Sequence, residues 1–264
     1  MHIVVCVKQT PEGDKVSVDE QTGCLIREGI ACAINPFDEY AVEEAVKIKE
    51  KLGGVTISAL TMGPPQAEDV LRDAISRGCN KGFHLCDKAF AGSDTWATSY
   101  ALSQAIKKIS ETEKVSLVIC GKQTTDSDTG HIGPQISTWL EFPNTAFVRK
   151  VREINEENIT VERMTEDGAD VIKMPLPSVI SVVKEINTPR IPPLKGRLAA
   201  RKAKFTRWTA SDIGCDESKL GLEGSPTSVV KCFVPKSRKA GITVEGENEK
   251  EKAQKLVKIL KDIK

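Results

Sequence analysis

Short β-branched runs alternate with helix-period segments as far as about residue 142, and this alternation constrains the fold more than any other feature of the chain. His2-Ile3-Val4-Val5-Cys6-Val7-Lys8 reads as a buried strand closed by the turn signal Pro11-Glu12-Gly13-Asp14. Residues 16–30 read as an excursion, a small hairpin around Gln21-Thr22-Gly23. Asn35-Pro36 breaks the chain, and Asp38 stands where a helix N-cap belongs. Val42, Ala45, Val46 and Lys49 then repeat at helical steps until Gly53-Gly54. Strand 55–61, helix 67–77, strand 81–86 and a helix capped by Asp94 follow. Val115 to Cys120 is the strongest short strand signal.

This order predicts an α/β fold: an open, mostly parallel sheet with helices on both faces. Ligands of such sheets sit beyond the carboxyl ends of the strands. Four loops occupy that rim: after Val7, Asn35 to Asp38, after Thr61, and Gly121 to Gln135. The second half changes character. Residues 157–174 read as a β-hairpin about Gly168, and Val179 to Val183 as another strand. Pro189-Arg190-Ile191-Pro192-Pro193-Leu194 excludes regular helix and central strand and opens a basic stretch, read as a protruding loop. Ser228 to Val234 reads as one more strand, residues 236–250 as a polar linker, and the end as an amphipathic helix carrying Leu256, Val257 and Leu260. The division expected is therefore a 1–235 α/β domain and a 236–264 arm.

Composition narrows the function classes. Across 264 residues, 38 Lys+Arg against 37 Asp+Glu leave a formal net charge of +1, which supplies no polyanion-attracting field. No apolar run approaches the ~18–20 residues of a membrane span. The first residues are too few and too soon polar for a signal peptide and lack the look of a transit sequence, so a cytoplasmic protein is expected. The eight cysteines form no C-x-x-C pair, and no histidine sits near them at zinc-like spacing. They are read as reduced, mostly buried thiols, and no metal site is expected.

Four constellations stand out, the last being the C-terminal amphipathic helix, which buries its stripe either on its own domain or on a partner chain. Gly121-Lys122-Gln123-Thr124-Thr125-Asp126-Ser127-Asp128-Thr129-Gly130-His131-Ile132-Gly133-Pro134-Gln135 leaves the best strand and enters a helix. Its small residues, hydroxyls, lysine and helix-start amides suit a nucleotide phosphate, although it is neither G-x-G-x-x-G nor a Walker A loop. The other reading is a plain loop in which Asp126 or Asp128 caps the next helix. Asn35-Pro36-Phe37-Asp38 reads either as a Pro-fixed turn presenting Asn to a base edge and Phe to a ring, or as a simple helix start. Around Leu194, the basic residues Lys195, Arg197 and Arg201 fit an acid-rimmed apolar pocket on a partner, or are a solvated face. No aromatic interleaving precedes Phe205, so nucleic acid is not the expected partner.

Taken together, VVCVKQ, NPFDEYAVEEAVKIKEK, TMGPPQAEDVLRDAISRGCNKG, VICGKQTTDSDTGHIGPQ and PRIPPLKGRLAARKAK resemble, in the same order over roughly residues 1–235, the β subunit of electron transfer flavoproteins. The resemblance implies a Rossmann-like nucleotide fold akin to that of adenine-nucleotide hydrolases and universal stress proteins. It implies a heterodimer with a flavin-holding α subunit, on which the C-terminal helix docks. It places a nucleotide against Cys6, Asn35 to Asp38, Met62 and Thr124 to Gln135. It puts a partner dehydrogenase on the stretch from Arg190 to Lys204, with Leu194 as anchor.

The loop Asp126-Ser127-Asp128-Thr129-Gly130-His131-Ile132-Gly133-Pro134 departs from the bulkier run of the AMP-binding mitochondrial type and resembles the electron-bifurcating branch. That branch implies FAD on this chain, NADH as electron donor, and ferredoxin and an FAD-dependent dehydrogenase as acceptors, with no catalytic side chain. The alternative within the family is structural AMP, with electrons arriving from acyl-CoA dehydrogenases. A stand-alone ATP-binding stress-type protein would need no partner tail. An ATP-pyrophosphatase would need S-G-G-x-D-S after the first strand, where Val7-Lys8-Gln9-Thr10-Pro11 stands.

Overall fold

A computed structural model describes residues 1–12, 17–18, 25–26, 31–230 and 241–262. The elements in chain order are β1 (His2–Cys6), β2 (Gln9–Pro11), β3 (Ser17–Val18), β4 (Leu25–Ile26), β5 (Cys32–Ile34), α1 (Pro36–Leu52), β6 (Thr56–Met62), α2 (Glu68–Arg77), β7 (Lys81–Leu85), α3 (Thr95–Thr112), β8 (Val115–Gly121), α4 (Ile132–Leu140), β9 (Asn144–Ile154), β10 (Asn158–Thr165), β11 (Gly168–Pro175), β12 (Ser178–Val182), α5 (Leu194–Lys202), β13 (Thr206–Trp208) and α6 (Glu249–Asp262). The chain divides into two units, Met1–Lys15 with Arg27–Val230 and Val16–Ile26 with Lys231–Lys264.

The larger unit is built on a nine-stranded sheet in the order β11-β10-β9-β12-β8-β1-β6-β7-β13. All pairs from β9 to β13 are parallel, and only β9–β10 and β10–β11 are antiparallel. The predicted α/β class is what forms. Strand periodicity divides the core between the two faces. Ile3 and Val5 of β1, with Leu117 and Ile119 of β8, face one cluster that includes Ala41, Val42 and Ala45 of α1 and Val70, Leu71 and Ala74 of α2. Val4 and Cys6, with Val118 and Cys120, face the other, against Ala101, Ala105 and Ile106 of α3 and Ile136 of α4. Strands covered on both sides have no solvent face, which is why they read as continuous apolar runs.

The stretch read as a protruding basic loop is in part a helix. Prolines hold residues 189–193 extended, and Pro193 is the residue from which α5 starts. Beyond it, Leu, Arg, Ala and Lys favour helix. α5 lies on α2 so closely that a Cβ on Gly196 would stand 2.0 Å from the Ser76 carbonyl oxygen. Arg72 Nη1 donates to the Ala200 carbonyl at 3.3 Å, and Ala200 is buried in the first core cluster. Two expected features differ. Ser228 to Val230 is not strand, and the rest of that segment lies outside the described residues. The turn Gln21-Thr22-Gly23 also lies outside them, although the flanking β3 and β4 pair antiparallel. In the smaller unit α6 leaves Leu256, Val257 and Leu260 exposed. No helix among the described residues is long and apolar enough to cross a membrane.

Gly196→Ala forces α5 off α2, because the obstructing atom belongs to backbone. The expected loss is about 1–3 kcal/mol in urea unfolding, with the far-ultraviolet dichroism of the folded state unchanged.

Candidate functional site

The strand order reverses between β1 and β8. From β1 the chain runs outward through β6 and β7, and β8 then returns to the other side of β1. Connections leaving in opposite directions open a crevice at the carboxyl ends of such a pair. Three of the four loops singled out in the sequence meet here.

Asn35, fully buried, joins them. Its backbone N–H donates to the Lys8 carbonyl at 2.8 Å. Its side-chain Nδ2 donates to the Gln123 carbonyl at 2.9 Å, and its Oδ1 accepts the Thr125 N–H at 3.2 Å. One side chain therefore fixes the loop after β8 against the end of β1. Pro36 begins α1, so Asp38 is not the N-cap expected but a residue of the first turn. It points inward and is buried, and its carboxylate accepts the Lys8 N–H at 2.8 Å. Burial pushes its pKa up to about 7, against hydrogen bonds from the Lys8 amide, the Asn35 side chain and the Gly121 amide, which favour the charged form. Gly121 is required for this approach: a Cβ there would lie 2.4 Å from Asp38 Oδ1 and 2.8 Å from the Phe37 carbonyl carbon.

The two loop aspartates are tied down without capping α4, whose N-cap is His131 with no side-chain bond. Lys8 Nζ donates to both oxygens of Asp126, at 2.8 and 2.7 Å. Burial opposes ionisation of Asp126, but the Lys8 hydrogen bond and charge outweigh it and hold the carboxyl below its ordinary value. Asp128 accepts from the Gln123 amide, and its own N–H donates to the Thr124 carbonyl at 2.9 Å. The Thr124 and Ser127 hydroxyls bond each other at 2.8 Å. Thr129 and His131 are exposed at the loop's end, before Gly133 and Pro134 enter α4. Gln135 donates from Nε2 to Thr95 Oγ1 at 3.2 Å, while its Oε1 is buried without a partner.

Cys6 ends β1 inside the second core cluster, where its thiol meets that of Cys120 on β8. Met62 ends β6, half-buried against the same cluster. At this switch point the polar groups are the buried Asn35 and Asp38 and the loop 122–131, and Cys6 and Met62 end neighbouring strands against the second core cluster. That pairing of features suits a nucleotide, whose base is apolar in face and polar in edge. Lys8 was not singled out from the sequence. Its position just past the first strand, on the ligand side of a parallel sheet, is the signal that finds it. Phe147, at the rim of the same loop, has no sequence signal.

A separate surface lies on α5 and the segment before it. Ile191, Leu194 and Leu198 are exposed by 83%, 74% and 50%. Lys195, Arg197 and Arg201 surround them, with no ion-pair partner among the described residues. The segment is anchored from behind: Arg190 Nε donates to Glu43 at 2.8 Å and its Nη1 to Glu50 at 2.6 Å, both on α1. Solvated apolar side chains thus stand together with cations that have no ion-pair partner among the described residues.

The electron transfer flavoprotein domain model matches residues 22–213. The chain is 44% identical to electron transfer flavoprotein subunit beta of Thermoanaerobacterium thermosaccharolyticum, covering 98% of both chains. It is 39% identical to caffeyl-CoA reductase–Etf complex subunit CarD of Acetobacterium woodii, over 99% of this chain and 98% of the relative. It is 41% identical to protein FixA of Bradyrhizobium diazoefficiens, over 90% and 84%.

The raised pKa of Asp38 has a defined sign. The protonated acid is the form the fold prefers, so its contribution is full below about pH 4 and is lost as pH rises through about 7. In Asp38→Asn that loss is absent. Unfolding free energies of wild type and variant, measured from acid to neutral pH, converge or cross in the variant's favour as pH rises through that window. A constant difference across it refutes the assignment.

Proposed function

The chain belongs to the electron transfer flavoprotein family, as a β subunit, and on that premise we propose that it binds FAD at the switch-point crevice and works in the electron-bifurcating branch. Members of the family serve electron transport, and β subunits pair with an α subunit. The observation that carries the FAD reading is the state of the loop after β8. Asp126 is paired with the Lys8 ammonium, which offsets its charge toward a pyrophosphate, while Asp128 keeps its charge and is held in place by the Gln123 amide. Lys122 and the amides entering α4 remain as anion donors. The unpartnered Oε1 of Gln135 is an acceptor suited to a ribose hydroxyl. The residues present therefore fit the group.

In this reading Asn35 and Asp38 shape the floor, Cys6 and Met62 pack the apolar end, and Thr124 to Gln135 hold the phosphates and sugar. When bound, FAD supplies hydride acceptance from NADH and division of the electron pair between ferredoxin and the α-subunit flavin. This chain's residues bind, orient and exclude water, and none is assigned a proton-transfer step. One relative is named as a subunit of a reductase–Etf complex, which supports work beside an FAD-dependent dehydrogenase here. That dehydrogenase docks on α5 through Leu194, Lys195, Arg197 and Arg201. The exposed apolar residues of α6 cover part of the α subunit.

Two measurements test these assignments. Denaturing the purified heterodimer is expected to release one FAD from each chain and no AMP; one FAD with one AMP overturns the FAD assignment. Leu194→Ala is expected to slow electron exchange with the dehydrogenase about tenfold at subsaturating partner, as for an interface anchor. Flavin content and Tm should stay unchanged. An unaltered rate removes α5 from the docking surface.

A further inference from the structure

The sheet buries a histidine whose hydrogen bonding is incomplete. Thr61 of β6 and His84 of β7 pair directly across the ladder, and both are 0% exposed. Gly82, two residues before His84, faces Leu71 of α2, so the strand period puts His84 and Thr61 on that same face. His84 Nε2 lies 3.0 Å from the Gly63 carbonyl oxygen. A carbonyl only accepts, so the neutral ring carries its proton on Nε2 and leaves Nδ1 a bare acceptor. Nδ1 and the Thr61 hydroxyl are both buried with no hydrogen-bond partner among the described residues. Two orphan polar groups on facing residues cost stability, which asks what they are kept for.

The loop that the imidazole holds gives an answer. Residues 63–66 follow β6 at the carboxyl rim of the sheet, directly after Met62. Pro64 and Pro65 supply no amide, and both are exposed, as is Gln66. Few bonds therefore tie the loop down. The Gly63 N–H donates to the Leu85 carbonyl at 3.0 Å, Gln9 Nε2 donates to the Gln66 carbonyl at 3.1 Å, and His84 donates to Gly63. The imidazole fits this place only while neutral. A proton on Nδ1 makes a buried cation whose new N–H has no acceptor. Burial holds the His84 pKa below its ordinary value against the Gly63 carbonyl; Arg207 of β13 adds to the lowering, and Glu68 of α2 and the Pro64 carbonyl oppose it. Glu68 is already clasped by Arg72 at 2.5 Å and by Arg207 at 3.3 Å, so little of its charge is left for the ring.

We propose that His84 is a positioning residue: its neutral imidazole latches residues 63–66 to the sheet and so holds Met62 in place, and protonation of Nδ1 opens the latch. An opened loop lets the imidazolium reach water, which the closed fold denies it. The closed form prefers the neutral ring, so the latch is at full strength above the ordinary histidine value of 6.5. As pH falls through that value the latch weakens, by up to about tenfold per pH unit, until the closed form itself takes up the proton. The consequence for a bound cofactor rests on the FAD assignment above; the latch does not.

Hydrogen exchange at the Gly63 amide tests the latch in the complex with the α subunit, once corrected for the intrinsic rate at each pH. From about pH 7.5 to about pH 5.5, protection in wild type should fall about tenfold. His84→Gln keeps an amide N–H for the Gly63 carbonyl but does not titrate, so its protection should stay constant. Asp38 changes protonation in the same range, but it does so in both proteins, and the difference between them belongs to His84. Should His84→Gln fail to fold, NMR of the wild-type His84 ring nitrogens replaces it. The expected result is an Nε2–H tautomer at neutral pH whose protonation tracks the loss of protection at Gly63. Wild-type protection that ignores pH, an equal loss in His84→Gln, or an Nδ1–H tautomer overturns the latch. Flavin release is the second readout: acid should speed loss of the flavin on this chain about tenfold over the same interval, and leave His84→Gln unchanged. A loop that opens while its flavin stays bound overturns the role toward the cofactor. A wild-type complex that carries AMP on this chain overturns the FAD assignment, and the exchange result stands apart from it.

Discussion

The site depends on the burial of Asn35. A fully buried amide with unsatisfied groups costs roughly 1–3 kcal/mol, so its partners are obligatory. Here they are the Gln123 carbonyl and the Thr125 N–H, while the Asn35 backbone binds the Lys8 carbonyl. The end of β1, the start of α1 and the loop after β8 are therefore one hydrogen-bonded body. Pro36 fixes the direction in which α1 leaves, and Gly121 lets that helix come close enough for Asp38 to reach the Lys8 amide. An open loop of small polar residues acquires a defined shape from beneath, before any ligand arrives.

That shape also offsets one of the loop's two negative charges. In the proposed reading, two free aspartates in the loop after β8 would repel the phosphates. Lys8 engages Asp126 through two oxygens, and Gln123 and the loop backbone engage Asp128. Lys8 sits on β1's side of the crevice and Asp126 on β8's, so the ion pair also closes the loop laterally. In exposed surroundings such a pair adds at most about 1 kcal/mol. Its larger effect is positional, because it removes negative charge from the region where α4 presents free amides.

The parallel core was legible because its strands are buried on both faces and its helices carry clear periods. The crevice was legible from topology: a ligand rim follows from strand order alone. What escaped did so for identifiable reasons. β9 alternates poorly, since Arg149, Lys150, Arg152 and Glu153 face outward and the bulge at Phe147 breaks the period. β13 has only three residues and pairs with one edge, too little for a pattern. α5 was hidden by the prolines before it, which end extended structure but also start a helix well. Asp38 has the composition of an N-cap, yet Pro36 moves the helix start upstream and turns the carboxylate into the core. These are tertiary decisions, and local sequence does not encode them.

α1 braces both of the surfaces to which a function is proposed. Its first turn holds the floor of the crevice through Asp38, and its middle holds the base of the docking segment. Asn187 donates to the Tyr40 carbonyl at 3.1 Å and to Glu44 at 2.9 Å, and Arg190 clasps Glu43 and Glu50. Arg77 on α2 reinforces the joint, bonding Glu39 and donating to the Arg190 carbonyl at 3.1 Å. Glu43 is nearly buried, so releasing Arg190 would strand a carboxylate in a low-dielectric setting. Residues 187–190, which lead into α5, cannot drift relative to α1 without breaking these contacts. Charge divides the labour between the two surfaces. In the proposed reading the crevice would fix a bound group by short-range hydrogen bonds, whereas the cations of α5 would act on an acidic partner over about a Debye length. Lys195, Arg197 and Arg201 on α5 have no ion-pair partner among the described residues, so a partner docking there as proposed would meet positive charge that the chain does not itself neutralise.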